Sequence, residues 1–531
     1  MSQFLKEILT HLVTQFNSMP QPVFINQFQK GASENANIGT GLLLGIETYS
    51  KKGVARLAKD SVKVSGSVVT DLPIYFSNLT ETQFFAQGDS GKVYRSFDSG
   101  ATWTDISDPA GTGLGRGLIF FDGFLYSFRG TTLYVCTSPF TSANWSVFQT
   151  GLNSVGHFPF IYPSAYGFYF ANGNKLGLLQ QSTTGTAINP GTPATYNYTN
   201  NIFELPSIYE ITTMSFLPPS NLVLGTRSSG IGNDTQIADI IMWDTVSKNK
   251  FTPPLRLYSN AGAGAMGVTQ LINRNNTCYA VTGGNHAVFQ TNGNTFNQIA
   301  EMGLRTNYTK ATGEQATTPV FLDQYPSAIA MLGNKLLTGV SSSIASYPDS
   351  NYALFPLGVW SLAFMDDDTA IQCEFTTSNN ITRSNNYQIG AIHTISEGRI
   401  LIGWGSNGTY GIDRTERQIF DPNIDNVAIV SPMMEIATPI KPFPSFQSIE
   451  INLVRNLLAG QEIKVYARTA FDKPFTFLQS FTTATWTDRL SALKVVKNPL
   501  GNSQFVQVMV QMSTTSPNES WTPEIRTIIV S

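Results

Sequence analysis

Charge is scarce in this chain: Lys, Arg, Asp and Glu make up 13% of its 531 residues, about half the usual share of a soluble domain. The formal net charge is −3 and no basic tract occurs, so the Lys/Arg stripe that displaces counterions from a nucleic-acid backbone is missing. Lys51-Lys52 and the stretch from Arg414 to Arg417 read as solvated surface. Cysteine is rarer still. Cys136, Cys278 and Cys373 are odd in number and far apart, which argues against a disulfide framework or a metal spacing and for small buried hydrophobes. The four histidines, His11, His157, His286 and His393, are isolated and form no short metal-ligand spacing. Long apolar runs are also missing: none approaches the ~18 residues that span a bilayer. Phe4, Leu5, Ile8, Leu9, Leu12 and Val13 recur at helical spacing among polar residues, which predicts a short amphipathic helix in place of a signal peptide.

In place of charge stand Asn, Ser, Thr, Gln and Gly, with aromatic residues at 12% and a hydrophobic share of 41%. That share suffices for real cores, and the length suits two or three domains. β-Branched and aromatic side chains fit a pleated, half-buried surface, so the mixture predicts antiparallel sheets joined by tight turns. One segment is more specific: Ser96-Phe-Asp-Ser-Gly-Ala-Thr-Trp103. Gly100 permits a tight bend, Asp98 can accept from turn amides, and Trp103 can bury a large ring against a sheet. With Ser96, Asp98, Gly100, Thr102 and Trp103 all in place, the segment resembles the Asp-box hairpin of sialidase-like propellers. The likeness implies a propeller blade and no particular activity.

Two degraded copies follow. Leu133-Tyr-Val-Cys-Thr137 runs on to Trp145, 42 residues beyond Trp103, and Gly293-Asn-Thr-Phe296 keeps the tail with Phe for Trp. Looser units, each an apolar strand ending near a small residue, lie at 84–86, 124–126, 167–171, 222–225, 278–281, 335–339 and 399–403. Seven units spaced about 40 to 64 residues apart suit four-stranded blades with insertions; six or eight blades remain open. The expected fold is therefore all-β: a β-propeller of about seven blades over residues 71–430, with a C-terminal β-sandwich over 431–531. Residues 1–70 form a short helical and extended N-terminal segment in this reading. Pro432, Pro439, Pro442 and Pro444 make a stiff connector to the sandwich. The sandwich itself is read from period-2 strands at 448–453, 462–466, 505–510 and 524–529.

The three-part layout resembles the propeller-bearing tail nozzle and hub proteins of tailed bacteriophages. Ile38-Gly-Thr-Gly41, Gly45-Ile-Glu-Thr-Tyr49 and Gly53-Val-Ala-Arg56 are similar to the glycine-rich opening of such chains. Ile449-Glu-Ile451, Leu457 to Gln461, Ile463-Lys-Val465, Phe505 to Gln511 and Thr522-Pro-Glu-Ile525 resemble their closing sandwich. The resemblance implies a structural part of the virion tail, made in the host cytoplasm without a signal peptide. Its partners would be copies of itself, in a ring around the tail axis and in sixfold number in a nozzle-like part, and other tail proteins. It would form or close the channel for DNA ejection, without catalysis, cofactor or metal.

Chemistry sought elsewhere gives little. The Phe/Tyr-Arg-Ile-Pro segment of sialidases is missing, and Phe128-Arg129 continues into Gly130 inside the repeats. Gly262-Ala-Gly264-Ala-Met-Gly267 matches G-x-G-x-x-G, but a strand is expected after it where dinucleotide binding needs a helix. Gly88-Asp-Ser-Gly91-Lys92 has the wrong spacing for a phosphate loop. Asp366-Asp-Asp368 lacks the spaced pattern of a Ca²⁺ loop and reads as an acidic turn. No catalytic residue is nominated. An alternative of another class is a receptor for a host-surface glycan, with Trp243, Trp360 and Trp404 as candidate stacking platforms; a sialidase-like hydrolase stands behind it. No membrane insertion and no sequence-specific nucleic-acid binding are expected.

Overall fold

The structure, a computed structural model, describes residues 54–57, 59–162, 167–180, 197–218, 221–229, 238–246, 267–283, 286–291, 295–301, 325–341, 358–365, 368–375, 387–395 and 398–419. In the C-terminal part it describes 448–470, 475–483, 505–515 and 523–530, and shorter pieces that include 23–25, 42–44, 428–430 and 492–495. The amphipathic helix, the proline connector and Asp366-Asp367 lie outside the described residues.

Continuous apolar strands need cover on both faces, and a ring of radially packed sheets supplies it. Among the described residues, seven four-stranded antiparallel units follow one another along the chain. Blade 1 is Pro73–Asn78, Phe84–Gly88, Val93–Ser96 and Thr104–Asp105. Blades 2 to 7 open with Gly115–Phe121, Gly156–Tyr162, Tyr209–Leu217, Val268–Arg274, Ile329–Leu332 and Tyr387–Ile395. Each opening strand packs on that of the next blade and the seventh returns to the first, so these strands ring the axis. The seven apolar units read in the sequence are the seven second strands, such as Phe84–Gly88, Phe124–Arg129 and Arg399–Ser406. Phe84–Gly88 is buried at every residue because blades press on both of its faces. Of the counts left open, seven holds.

Ring closure uses the N-terminal segment. Blade 7 takes Tyr387–Ile395, Arg399–Ser406 and Thr409–Ile419 from its own stretch, and its outer strand is Lys59–Lys63. Lys63 lies opposite Asp413, and Ser61 opposite Thr415. The buried Asp413 carboxylate accepts the Ser61 hydroxyl at 3.0 Å and the Trp404 indole N–H at 2.6 Å. Chain ends that would leave two open sheet edges are thus joined.

The sandwich forms by alternation, as expected. Ile449–Leu453 and Ile525–Val530 build one sheet, with Ala492–Val495 and Val23–Ile25 at its edges. Gln461–Arg468, Thr476–Thr482 and Phe505–Thr514 form the facing layer. Ile449, Ile451, Ile463, Val465, Val508 and Val510 meet in the core between them. Leu42–Leu44 pairs in parallel with Asp368–Phe375 of blade 6 and antiparallel with Ala428–Val430, which pairs on with Phe505–Thr514. One ten-stranded sheet therefore runs from blade 6 into the sandwich. The expected division at residue 70 is corrected here. Composition sets residues 1–70 apart, but hydrogen bonding places Lys59–Lys63 in the propeller and Val23–Ile25 in the sandwich, and Ala55 and Leu57 join the sandwich core.

Candidate functional site

The Ser96–Trp103 turn joins the third and fourth strands of blade 1, and the structure brings all five of its signature residues together. The Ser96 hydroxyl donates to Asp98 Oδ1 at 2.8 Å and accepts the Gly100 amide at 3.0 Å. Asp98 also accepts the Thr102 amide at 2.9 Å and the Thr102 hydroxyl at 2.6 Å, while Trp103 Nε1 donates to the Gly100 carbonyl at 3.1 Å. Burial alone would raise the Asp98 carboxyl, but hydrogen bonds from Thr102, Ser96 and the Ala101 amide outweigh it and hold the group below its ordinary value. Gly100 has φ 78°, and a Cβ there would meet Leu401 Cδ2 of blade 7 at 2.7 Å, so only glycine fits. Trp103 packs with Val69, Phe84, Leu401 and Ile412 between blades 1 and 7, and Arg414 Nη1 donates to the Ser99 carbonyl at 3.2 Å. The turn fastens the seam where the ring closes.

The three tryptophans nominated for stacking on a sugar are buried, which corrects that expectation. Trp243 is 3% exposed and stacks on Phe203 at 4.8 Å between blades 3 and 4. Trp360 and Trp404 are 0% exposed. Their rings fill the wedges between blades, where large apolar faces gain most from leaving water.

The strongest convergence of side chains that no motif announced lies on the ring axis. Tyr75 of blade 1 meets Phe158 of blade 3, with ring centroids 6.1 Å apart. Tyr325, which leads into blade 6, packs on the same cluster of Leu72, Ile74 and Tyr75. Blades 1, 3 and 6 are not neighbours, so these side chains can meet only at the axis. Tyr325 is held at both ends: Gln270 Nε2 donates to its carbonyl at 2.9 Å and Gln388 Nε2 to its hydroxyl at 2.8 Å. Gln270 Oε1 accepts the Thr338 hydroxyl at 2.8 Å, and Thr338 lies 2.9 Å from His286 Nε2. The single Thr338 proton goes to Gln270, so His286 carries its own proton on Nε2. Burial lowers His286 to about 3 and keeps it neutral.

Arg116 stands at the bulge between Gly115 and Gly117, and its Nε is buried without a hydrogen-bond partner. The adjacent Gly117 amide donates to Gln87 Oε1 at 3.0 Å, and Gln87 lies opposite Tyr75 on the neighbouring strand. Burial pushes the Tyr75 phenol well above its ordinary range, opposed by the Arg116 guanidinium. A bulge re-aims a side chain without leaving a sequence signature, and the axial residues come from separate blades. The one legible hint is that Arg116 is charged in an otherwise apolar opening strand.

Other nominated groups do not assemble. Cys136 and Cys278 are buried, and burial pushes both thiols up to about 12, so they stay protonated. The His393 ring lies against Phe76 and Phe84. Gly267 leads into the strand Val268–Arg274, as expected, so the dinucleotide motif lacks its helix. Gly88 to Lys92 closes a strand–strand turn, with the Gly91 amide donating to the Gly88 carbonyl at 3.0 Å. Among the described residues no group of three His, Cys, Asp or Glu side chains is placed to hold a metal. No helix among them is long and apolar enough to cross a membrane.

No protein-family model and no curated protein matches the sequence. Solved structures do resemble the fold. YCF48 bound to a D1 peptide is 10% identical, covering 70% of this chain and 99% of its own, with a TM-score of 0.43. Streptogramin B lyase is 11% identical over 68% of this chain and 98% of its own, with a TM-score of 0.43. The extracellular domain of a putative one-component system from B. thetaiotaomicron is 14% identical over 75% of this chain, with a TM-score of 0.44; the match spans 43% of that protein. The class of this protein, a seven-bladed β-propeller joined to a β-sandwich, rests on its own strand pairing.

Proposed function

We propose that the protein is a non-catalytic structural component of a bacteriophage tail, which assembles with copies of itself into a ring that forms or closes the genome-delivery channel. The observation that carries this reading is the ten-stranded sheet from blade 6 into the sandwich. It joins both bodies through main-chain hydrogen bonds, as suits a part that must hold its shape under load. The Ser96–Trp103 turn is, in this reading, an Asp box used as a fastener at the ring seam. The conduit lies between copies, because Tyr75, Phe158 and Tyr325 occupy the propeller axis. Contact between copies is supported by the sandwich strand Thr476–Thr482, an edge of its sheet among the described residues, with Phe477 52% exposed. An unpaired edge carrying an aromatic side chain is a template for a second chain.

The test is sedimentation of the purified full chain, alone and as Phe477→Asp, with images of the particle that contains it. A concentration-dependent ring that Phe477→Asp dissociates, together with axial density in the tail, is the expected result. A chain that stays monomeric at every concentration and is missing from virions by mass spectrometry sinks the proposal.

A further inference from the structure

We propose that Asn407, at the tip of a blade 7 hairpin, is a deamidation site, converted through a cyclic imide to aspartate and isoaspartate. The reaction needs an asparagine side chain, a free main-chain nitrogen directly after it, and room for the two to meet. A following glycine leaves that nitrogen unshielded, because it has no Cβ. Asn-Gly occurs at Asn172, Asn292 and Asn407. Asn292 lies outside the described residues. The fold treats the other two in opposite ways.

Asn407 and Gly408 form the two-residue connection between Arg399–Ser406 and Thr409–Ile419, with Ser406 opposite Thr409. Their φ values are both positive, 48° and 77°, as a type I′ hairpin turn requires, and Asn-Gly is the pair such a turn prefers. The turn also leaves the pair open. Both residues are exposed, and the space where a Gly408 Cβ would stand is empty to 4 Å. The Gly408 amide enters no hydrogen bond among the described residues. Asn172 is 7% exposed. Its Oδ1 accepts the Asn153 amide at 2.6 Å and its Nδ2 donates to the Asn200 carbonyl at 3.3 Å. The Gly173 amide, which would have to attack, donates to the Val155 carbonyl at 3.2 Å. Cyclisation at Asn172 therefore waits on local opening of blade 3, whereas the tip of blade 7 needs none.

In the step itself the Gly408 nitrogen attacks the side-chain carbonyl carbon of Asn407. That nitrogen–carbon bond forms, the bond to the side-chain nitrogen breaks, and ammonia leaves with the proton of the Gly408 amide. Water then opens the imide at either carbonyl. Aspartate and isoaspartate each add a carboxylate, and in isoaspartate the main chain also runs through one further carbon. Both changes fall on the hairpin whose Asp413 accepts Ser61 and closes the ring.

The test is to incubate the full chain at mildly alkaline pH, native and in urea, and to follow each Asn-Gly by peptide mapping that separates aspartate from isoaspartate. In the native chain Asn407 is expected to convert at least about tenfold faster than Asn172, because only Asn172 is protected by burial and hydrogen bonds. In urea the two rates should draw level, since the protection is structural. Isoaspartate should be among the products at Asn407. Asn407 intact in the native chain after the unfolded chain has converted, Asn172 converting equally fast in the native chain, or aspartate as the sole product overturns the assignment.

Discussion

In blade 1 the turn from Ser96 to Trp103 is held mainly by its own side chains, whereas the corresponding turn of blade 2, residues 137–145, shares the task with blade 1. Both lead into the outer strand with a tryptophan. In the first, Asp98 and Ser96 satisfy the turn amides and Trp103 donates back to Gly100. In the second, Arg95 Nη1 reaches over from blade 1 to the Pro139 and Phe140 carbonyls, both at 2.8 Å. Trp145 Nε1 donates to the Ile106 carbonyl at 2.7 Å, and the Arg129 guanidinium lies 4.8 Å from its ring. Local bonds remain, such as Thr141 Oγ1 to Asn144 Oδ1 at 2.6 Å, but three of them involve side chains, against five in the first turn. The same element can be encoded within eight residues or delegated to the next blade. Only the first kind is visible as a motif.

Three measurements bear on this comparison. The largest effect is expected at Trp103, which is 5% exposed: Trp103→Ala should cost about 3–5 kcal/mol by urea denaturation. Trp145 is only partly buried, and Trp145→Ala should cost less; an equal or larger loss would reverse the ranking of the two turns. Next come Asp98→Ala and Arg95→Met, each about 1–2 kcal/mol. Hydrogen exchange separates them. Asp98→Ala should expose the Gly100 and Thr102 amides alone, while Arg95→Met should loosen residues 137–145 and leave 96–103 protected. Loosening of both turns in either variant would show that they are one unit.

The smallest effect concerns a third way of joining blades, the His286–Thr338–Gln270 chain between blades 5 and 6. Burial holds His286 at about 3, below the value near 6.5 of an unfolded chain. The unfolded state therefore binds the extra proton first. The stability secured by neutral His286 is complete above about pH 6.5 and is lost as pH falls toward 3. Between pH 7 and 6 the loss is below about 1 kcal/mol, and His286→Gln should flatten that part of the pH–stability curve. An unchanged slope in the variant would place the titration elsewhere.

Much of the ring was legible because blade interiors demand it. A second strand pressed on both faces must be apolar along its length, and seven such strands stand out between turns. The outer strands carry no such demand. Lys59–Lys63 reads Lys-Asp-Ser-Val-Lys, with Val62 43% exposed and Ser61 buried, so nothing in its composition marks it as a blade strand. Thr476–Thr482, at the rim of the sandwich, lacks clean alternation for the same reason. Tryptophan content likewise did not say which rings face water. Trp243, Trp360 and Trp404 are as apolar in a blade wedge as on a surface, and only packing put them inside.

By itself, then, the sequence determined the all-β class, the seven-unit repeat, the Ser96–Trp103 turn and the alternating sandwich, because each depends on residues close together in the chain. The tertiary structure decided ring closure by Ser61 and Asp413, the stitching of residues 42–44 between propeller and sandwich, and the meeting of Tyr75, Phe158 and Tyr325 at the axis. Those features bring together residues that are remote in sequence. Their partners are set by where seven blades converge, a geometry that no local pattern of residues carries.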